Sequence, residues 1–147
     1  MDIKESLKDS YISCLLIVKI LVPVSIIIKI ATHFGAIEAL SKALAYPMSL
    51  LNLPGELGVV WATAMIANIY ASVFTFFAII DPQELTTAQV SVLGAIILFA
   101  HSLPNESAIC KLAGLSYKAS ISIRLSAAFI FGLITSAVLS KYNLLAH

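Results

Sequence analysis

Between two apolar runs the chain carries a polar, helix-breaking heptad, His101-Ser102-Leu103-Pro104-Asn105-Glu106-Ser107. Val90 to Ala100 precedes it, with Ser91 as the one polar side chain. A short helical pattern and a second long apolar run, Ile121 to Leu139, follow it. The runs are too hydrophobic to be read apart from the rest of the composition. The chain is 60% hydrophobic and 12% charged, with a mean hydropathy of +0.99, whereas a soluble domain is about a quarter charged. The expectation is an all-α integral membrane protein. At membrane depth, non-helical backbone survives only where protein buries it or it lines a cavity, and an ionisable side chain there is a functional candidate by default.

The heptad has a partial echo. Leu53-Pro54-Gly55-Glu56-Leu57 matches Leu103-Pro104-Asn105-Glu106-Ser107 at Leu, Pro and Glu, fifty positions earlier. We read the two as tips of broken helices facing one central site. The 147 residues allow roughly four to six crossing or re-entrant helices at about 20 residues per crossing. They read as a single membrane domain, with a first repeat over 10–80 and a second over 81–141. That is small for a complete transporter, so a homo-oligomer or a second subunit is expected. The net charge of +1 comes without a basic run, aromatic-basic interleaving or zinc spacing, and nucleic acid is excluded as a partner.

Taken in order, residues 1–10 are polar and suit the interface. Their charges are mixed, and the apolar run from Tyr11 is too long for a cleavable signal. Tyr11 to Thr32 reads as a spanning helix that Pro23 should kink. Its Lys19 either snorkels or partners Glu56 or Glu106. Phe34 to Tyr46 is amphipathic, with Glu38 and Lys42 as an i,i+4 pair, and reads as an interfacial helix stopped by Pro47. From Pro54 to Ile80 the pattern is long enough to span. It is interrupted around Asn68 to Ser72, and the Asn68 amide serves either helix packing or the lining of a site. Asp81-Pro82-Gln83-Glu84 reads as the start of the next helix, which ends at the heptad. Asn105 is a plausible N-cap for a short helix over Glu106 to Tyr117, and the last spanning helix runs from about Ala119 to Ser140. There Ala128, Gly132, Ser136 and Ser140 form a small-residue stripe for packing within the subunit or in a dimer.

Broken helices aim partial charges at a ligand. Their N-termini attract anionic groups, while unwound carbonyls and C-termini attract cations. Glu56, Asn68, Ser72, His101, Ser102, Asn105, Glu106 and Ser107 are therefore the candidate solute ligands. Glu106 can couple a solute to a proton or sodium ion, and no cofactor is expected. The plainer reading of Glu56 and Glu106 is first-turn capping. His101, Glu106 and Cys110 are weak metal candidates, because their spacing matches no strict motif. Cys14 and Cys110 otherwise read as small apolar packing residues. Without a G-x-S-x-G elbow or an HExxH helix, no enzyme is expected. Lys111, Lys118 and Arg124, set against Asp81 and Glu84, give a slight orientation bias that permits insertion in both senses.

Leu53-Pro54-Gly55-Glu56, with a small-residue helix broken at Asn68, resembles the small nucleoside-recognition or Gate-domain membrane proteins. The second break at His101 to Glu106, with its short basic-ended helix and final spanning helix, fits the same pattern over roughly residues 10–140. Related Gate domains occur in concentrative nucleoside transporters, ferrous iron permeases and spore-maturation membrane proteins. The resemblance implies a Gate-like inverted repeat with two discontinuous helices meeting near the midplane of the inner membrane. It implies transport of a small polar solute, with Glu56, Asn68, Ser102, Asn105 and Glu106 at the site. The alternatives it leaves are a non-transporting assembly protein that binds a membrane partner, or a metal (iron) permease component. This chain departs from the family in having His101-Ser102-Leu103-Pro104 where a glycine-containing turn is common.

Overall fold

The computed structural model describes residues 3–81 and 84–141. They form seven helices: α1 (Ile3–His33), α2 (Ala36–Ser49), α3 (Gly55–Ile66), α4 (Ile69–Ile79), α5 (Thr87–Phe99), α6 (Leu103–Leu112) and α7 (Tyr117–Lys141). Thr87–Leu112 and Tyr117–Lys141 are long and apolar enough to cross a membrane. The first of these stretches is the α5–α6 pair, interrupted at Ala100 to Ser102.

The largest departure from the sequence reading lies in Pro54 to Ile80. It is not one interrupted spanning helix. α3 and α4 have only 12 and 11 residues, and the chain reverses between them at Ala67-Asn68. Ser72 Oγ donates to the Val60 carbonyl at 3.0 Å. In a continuous helix those residues would lie about 18 Å apart at 1.5 Å per residue. The turn is built by Asn68, whose extended backbone (φ −168°) and side chain cap α4 by accepting the Ala71 N–H at 2.9 Å. Ala64 and Ala71 are fully buried and let the two arms approach. The result is a helical hairpin, with its open end near Glu56 and Ile79 and its tip at Asn68.

α5–α6 behaves differently. Its partners on α7 fall in number as its own rise. A Cβ on Gly132 would lie 2.6 Å from Ile96 Cγ2, Phe99 stacks on Phe131 at 4.4 Å, and Glu106 meets Arg124. α6 therefore continues in the direction of α5 beyond the break, and α7 returns antiparallel to both. The two discontinuities, one a reversal and one a continuation, differ in kind.

Several boundaries differ from the sequence reading for identifiable reasons. α2 runs through Pro47 to Ser49 and ends where Asn52 turns left-handed (φ 56°). α1 extends without interruption from Ile3, with Pro23 inside it. α5 begins at Thr87, not at Asp81. Thr86 and Gln89 cap each other's backbone N–H groups in a capping box. Pro82 and Gln83 lie outside the described residues. α6 begins at Leu103 and stops at Leu112, where Gly114 (φ 95°) lets the Leu115 N–H bond back to the Cys110 carbonyl at 3.0 Å.

The core gathers Met48, Leu51, Leu57, Val60, Val92 and Ile96, each almost fully buried, from α2, the α2–α3 turn, α3 and α5. α7 closes it with Ala128, Gly132 and Ser136, all buried, while Ser140 is exposed. A Cβ on Gly132 would also lie 3.0 Å from Leu51 Cδ2, and Ser136 Oγ accepts from Asn52 Nδ2 at 2.7 Å. Of the two packing roles open to the stripe, its buried part serves the one within the subunit.

Candidate functional site

The tip of the hairpin and the break in α5–α6 are joined directly. The Ser102 N–H donates to the Ala64 carbonyl at 2.8 Å, and Ser102 Oγ donates to the Ala67 carbonyl at 3.1 Å. Ser102 adopts a left-handed conformation (φ 45°) to make both bonds, which few non-glycine residues do. One residue thereby satisfies two carbonyls at the end of α3, groups that a helix C-terminus leaves without intrahelical partners.

The end of α5 is satisfied in the same way from elsewhere. Arg124 Nε donates to the Phe99 carbonyl at 2.9 Å, and His101 Nδ1 lies 2.9 Å from the Ile97 carbonyl. Glu106 then closes the network. One carboxylate oxygen meets His101 Nε2 at 3.0 Å, and the other pairs with Arg124. The Arg124 and His101 side chains are about four-fifths buried, while that of Glu106 keeps over a third of its surface exposed. Glu106 also sits in the first turn of α6, where the helix dipole favours a carboxylate.

Of the sequence candidates, Asn68, His101, Ser102 and Glu106 come together at this junction. Ser72 lies on the inner side of the hairpin, where its hydroxyl zips α4 to α3. Asn105 is exposed inside the first turn of α6 and is not its N-cap, because the helix starts two residues earlier. Ser107 is fully buried with no protein partner for its hydroxyl. Glu56 stands apart. It is exposed at the open end of the hairpin, and α3 separates it from the tip by about 18 Å at 1.5 Å per residue. The two Leu-Pro-x-Glu segments thus do not face one central site. Gly55 and Gly58 hold the first of them against α2: a Cβ on either would come within 2.7 Å of Ser41 O or 2.6 Å of Leu44 Cβ.

Lys19 is exposed on α1, and the partner of Glu106 is Arg124. Arg124 is the residue that sequence reasoning missed. It is the only arginine in the chain and the one charged residue of α7 between Lys118 and Lys141, a position that marks a functional candidate. The sequence reading uses its charge for orientation alone. Among the described residues no group of three His, Cys, Asp or Glu side chains is placed to hold a metal ion. His101 and Glu106 are engaged with each other, and Cys110 is half-buried one turn further along α6. The Cys14 side chain lies outside the described residues.

Chemically, the junction is a pair of helix ends where Ser102, His101 and Arg124 cover the Ala64, Ala67, Ile97 and Phe99 carbonyls, beside a carboxylate shared by Arg124 and His101. A ligand that takes one of these groups replaces an internal partner. What these observations define is an all-helical chain with two apolar helices long enough to cross a membrane, one broken where a helical hairpin touches it.

The comparisons agree at that level. The chain is 20% identical over 120 residues to YvoD of Bacillus subtilis (strain 168), an uncharacterized membrane protein. The similarity takes in 82% of this chain and 37% of YvoD, so the chain spans little more than a third of that relative's length. No family model matches the chain, and no solved structure matches it.

Proposed function

We propose that this protein is an integral membrane transport unit that passes a small polar solute at the junction of the hairpin tip and the α5–α6 break. One observation carries the reading: Ser102 clasps the carbonyls of the hairpin tip 35 residues away, next to a charged network, in a chain that is 60% hydrophobic. Such irregular backbone is retained at membrane depth where it lines a pathway or is held by protein, and transporters bind substrate between discontinuous helices of this kind. The network supplies the means of gating. Glu106 exchanges its internal partners for a solute hydroxyl or amide, or for a coupling proton or sodium ion, and the clasp at Ser102 loosens as it does so. The Gate-domain resemblance favours a nucleoside-like solute and a location in the cytoplasmic membrane.

The proposal includes a homo-oligomer or a second subunit. The assembly-protein alternative needed a free small-residue stripe on α7. With Ala128, Gly132 and Ser136 turned inward, no observation favours it.

The test is thermal stabilisation of the detergent-solubilised protein across nucleosides, organic acids, amino acids and divalent metals. A ligand that binds only the folded state raises its apparent stability. A hit that Glu106→Gln abolishes, in a variant that remains monodisperse, supports the reading. Hits indifferent to Glu106→Gln, or no hit with any solute class, overturn it.

A further inference from the structure

A second feature lies at the other end of the hairpin. A cavity of about 450 Å³ opens between the end of α1, the start of α2, the start of α3 and the end of α4. That volume falls in the range of small-molecule sites. Its polar lining consists of Glu38 and Lys42 from α2, Glu56 from α3, and the hydroxyls of Thr32 and Ser41. The i,i+4 pairing of Glu38 with Lys42 expected from the sequence does not form. Glu38 leans back toward the start of α2, its Oε2 3.9 Å from where a Cβ on Gly35 would lie. Among the described residues, neither Glu38, Lys42 nor Glu56 has an ion-pair partner within 4.0 Å. Three unpaired charges therefore line one cavity. Beyond Thr32 and Ala78, which it shares, an adjoining cavity is bordered by Lys29 and His33.

We propose that this cavity is a binding site, separate from the junction, for a zwitterion carrying a primary ammonium and a phosphate, as in phosphoethanolamine. The chemistry follows from the lining. Two carboxylates are pure acceptors and call for a donor with several N–H bonds. Lys42, with Lys29 on the flank, supplies donors for an anionic group of the same ligand, so that neither charge type is left in excess. No aromatic side chain lines this cavity, and Phe74 and His33 border only the adjoining one that holds Lys29, whereas quaternary ammonium groups are recognised by aromatic faces. A trimethylated headgroup should therefore be refused. The ligand is either a lipid headgroup at the membrane edge or the free phosphomonoester, and the two share this recognition chemistry.

The test compares O-phosphoethanolamine, short-chain phosphatidylethanolamine, short-chain phosphatidylcholine and inorganic phosphate as stabilisers of the purified protein in detergent. The ammonium zwitterions should raise the melting temperature, and phosphate and the choline lipid should not. Glu56→Gln and Lys42→Gln should each weaken binding about tenfold, as loss of one charge-assisted contact implies. Both side chains are exposed, so neither change threatens folding. Glu106→Gln should leave this response intact, which separates it from the transport reading. A response to the lipid alone assigns a headgroup, and a response to the phosphomonoester as well assigns a free solute. No shift with either zwitterion, an equal shift with phosphate or the choline lipid, or a shift that survives both variants overturns the proposal.

Discussion

Leu53-Pro54-Gly55-Glu56 and Leu103-Pro104-Asn105-Glu106 share three of four residues and do opposite things. In the first, the helix begins after the proline, at Gly55, and the glutamate stands unpaired at the edge of a cavity. In the second, the helix begins before the proline, at Leu103, and the glutamate is held by Arg124 and His101. The difference lies in what each segment is packed against. Gly55 is pressed onto the backbone of α2, so its tetrad is fixed by a close helix crossing. Asn105 faces outward, and its tetrad is fixed by Ser102 on one side and Arg124 on the other. A shared local motif sets a helix start, and long-range partners decide what its carboxylate does.

The comparison can be broken most forcefully at the third position of the first tetrad. A Cβ at Gly55 would lie 2.7 Å from the Ser41 carbonyl oxygen, which is backbone and cannot step aside alone. Gly55→Ala gains about 1 kcal/mol of helix propensity. Overpacking costs about 1–3 kcal/mol and occasionally more, and an unyielding backbone atom puts this site at the upper end. Net destabilisation of about 2 kcal/mol is expected in denaturant titration. A neutral or stabilised variant would show that α2 and α3 do not cross as closely as described.

The second tetrad breaks at its partner instead. Arg124→Ala removes the charge beside Glu106 and the donor to the Phe99 carbonyl together. Breaking a fully buried pair costs about 3–5 kcal/mol. Glu106 keeps over a third of its side-chain surface exposed, so on the order of 2 kcal/mol is expected. The companion change Glu106→Ala should cost much less in the Arg124→Ala background than alone, because contacting residues couple. Strict additivity in that cycle would show that the pair is not an energetic unit.

How much of this was legible before the structure follows the same division. The all-helical class, the break at the heptad and the polar interruption at Asn68 rest on local signals, namely apolar runs, proline and a capping amide, and each appears in the fold. The capping box Thr86-Thr87-Ala88-Gln89 is an equally local signal, competing with the Asp-Pro signal upstream. The reversal at Ala67-Asn68 was not readable. A helix that breaks and returns has the same sequence pattern as one that breaks and continues, and the bond from Ser72 to Val60 that distinguishes them is tertiary. The convergence of Glu106, His101 and Arg124 depends on the antiparallel register of α7, which no spacing within one segment reveals. Arg124 alone carries a signal, as the one charged residue between Lys118 and Lys141.

A smaller effect is expected at the clasp. Ser102→Ala removes the hydroxyl bond to the Ala67 carbonyl but keeps the backbone bond to Ala64. A typical hydrogen bond contributes about 0.5–1.5 kcal/mol, so a loss near 1 kcal/mol should appear. Ser102→Gly loses the same bond but relieves the left-handed conformation (φ 45°), which costs a non-glycine residue about 1–2 kcal/mol. It should therefore be at least as stable as Ser102→Ala. If glycine is the worse of the two, the backbone at the break is not under the strain its geometry implies.

The smallest effect sharpens the comparison at the position where the tetrads differ. Asn105 is exposed in the first turn of α6 and does not cap it. Alanine is a better helix former than asparagine by about 0.5 kcal/mol, and no contact opposes it. Asn105→Ala should leave the unfolding midpoint unchanged or raise it slightly, whereas Gly55→Ala at the matching position is costly. A loss above about 1 kcal/mol would mean that Asn105 is held by a partner as Glu106 is, and the second tetrad would then be buried on both sides of its helix. That outcome would move the carboxylate network deeper into the protein and weaken the case that a solute can reach Glu106 from the exposed face of α6.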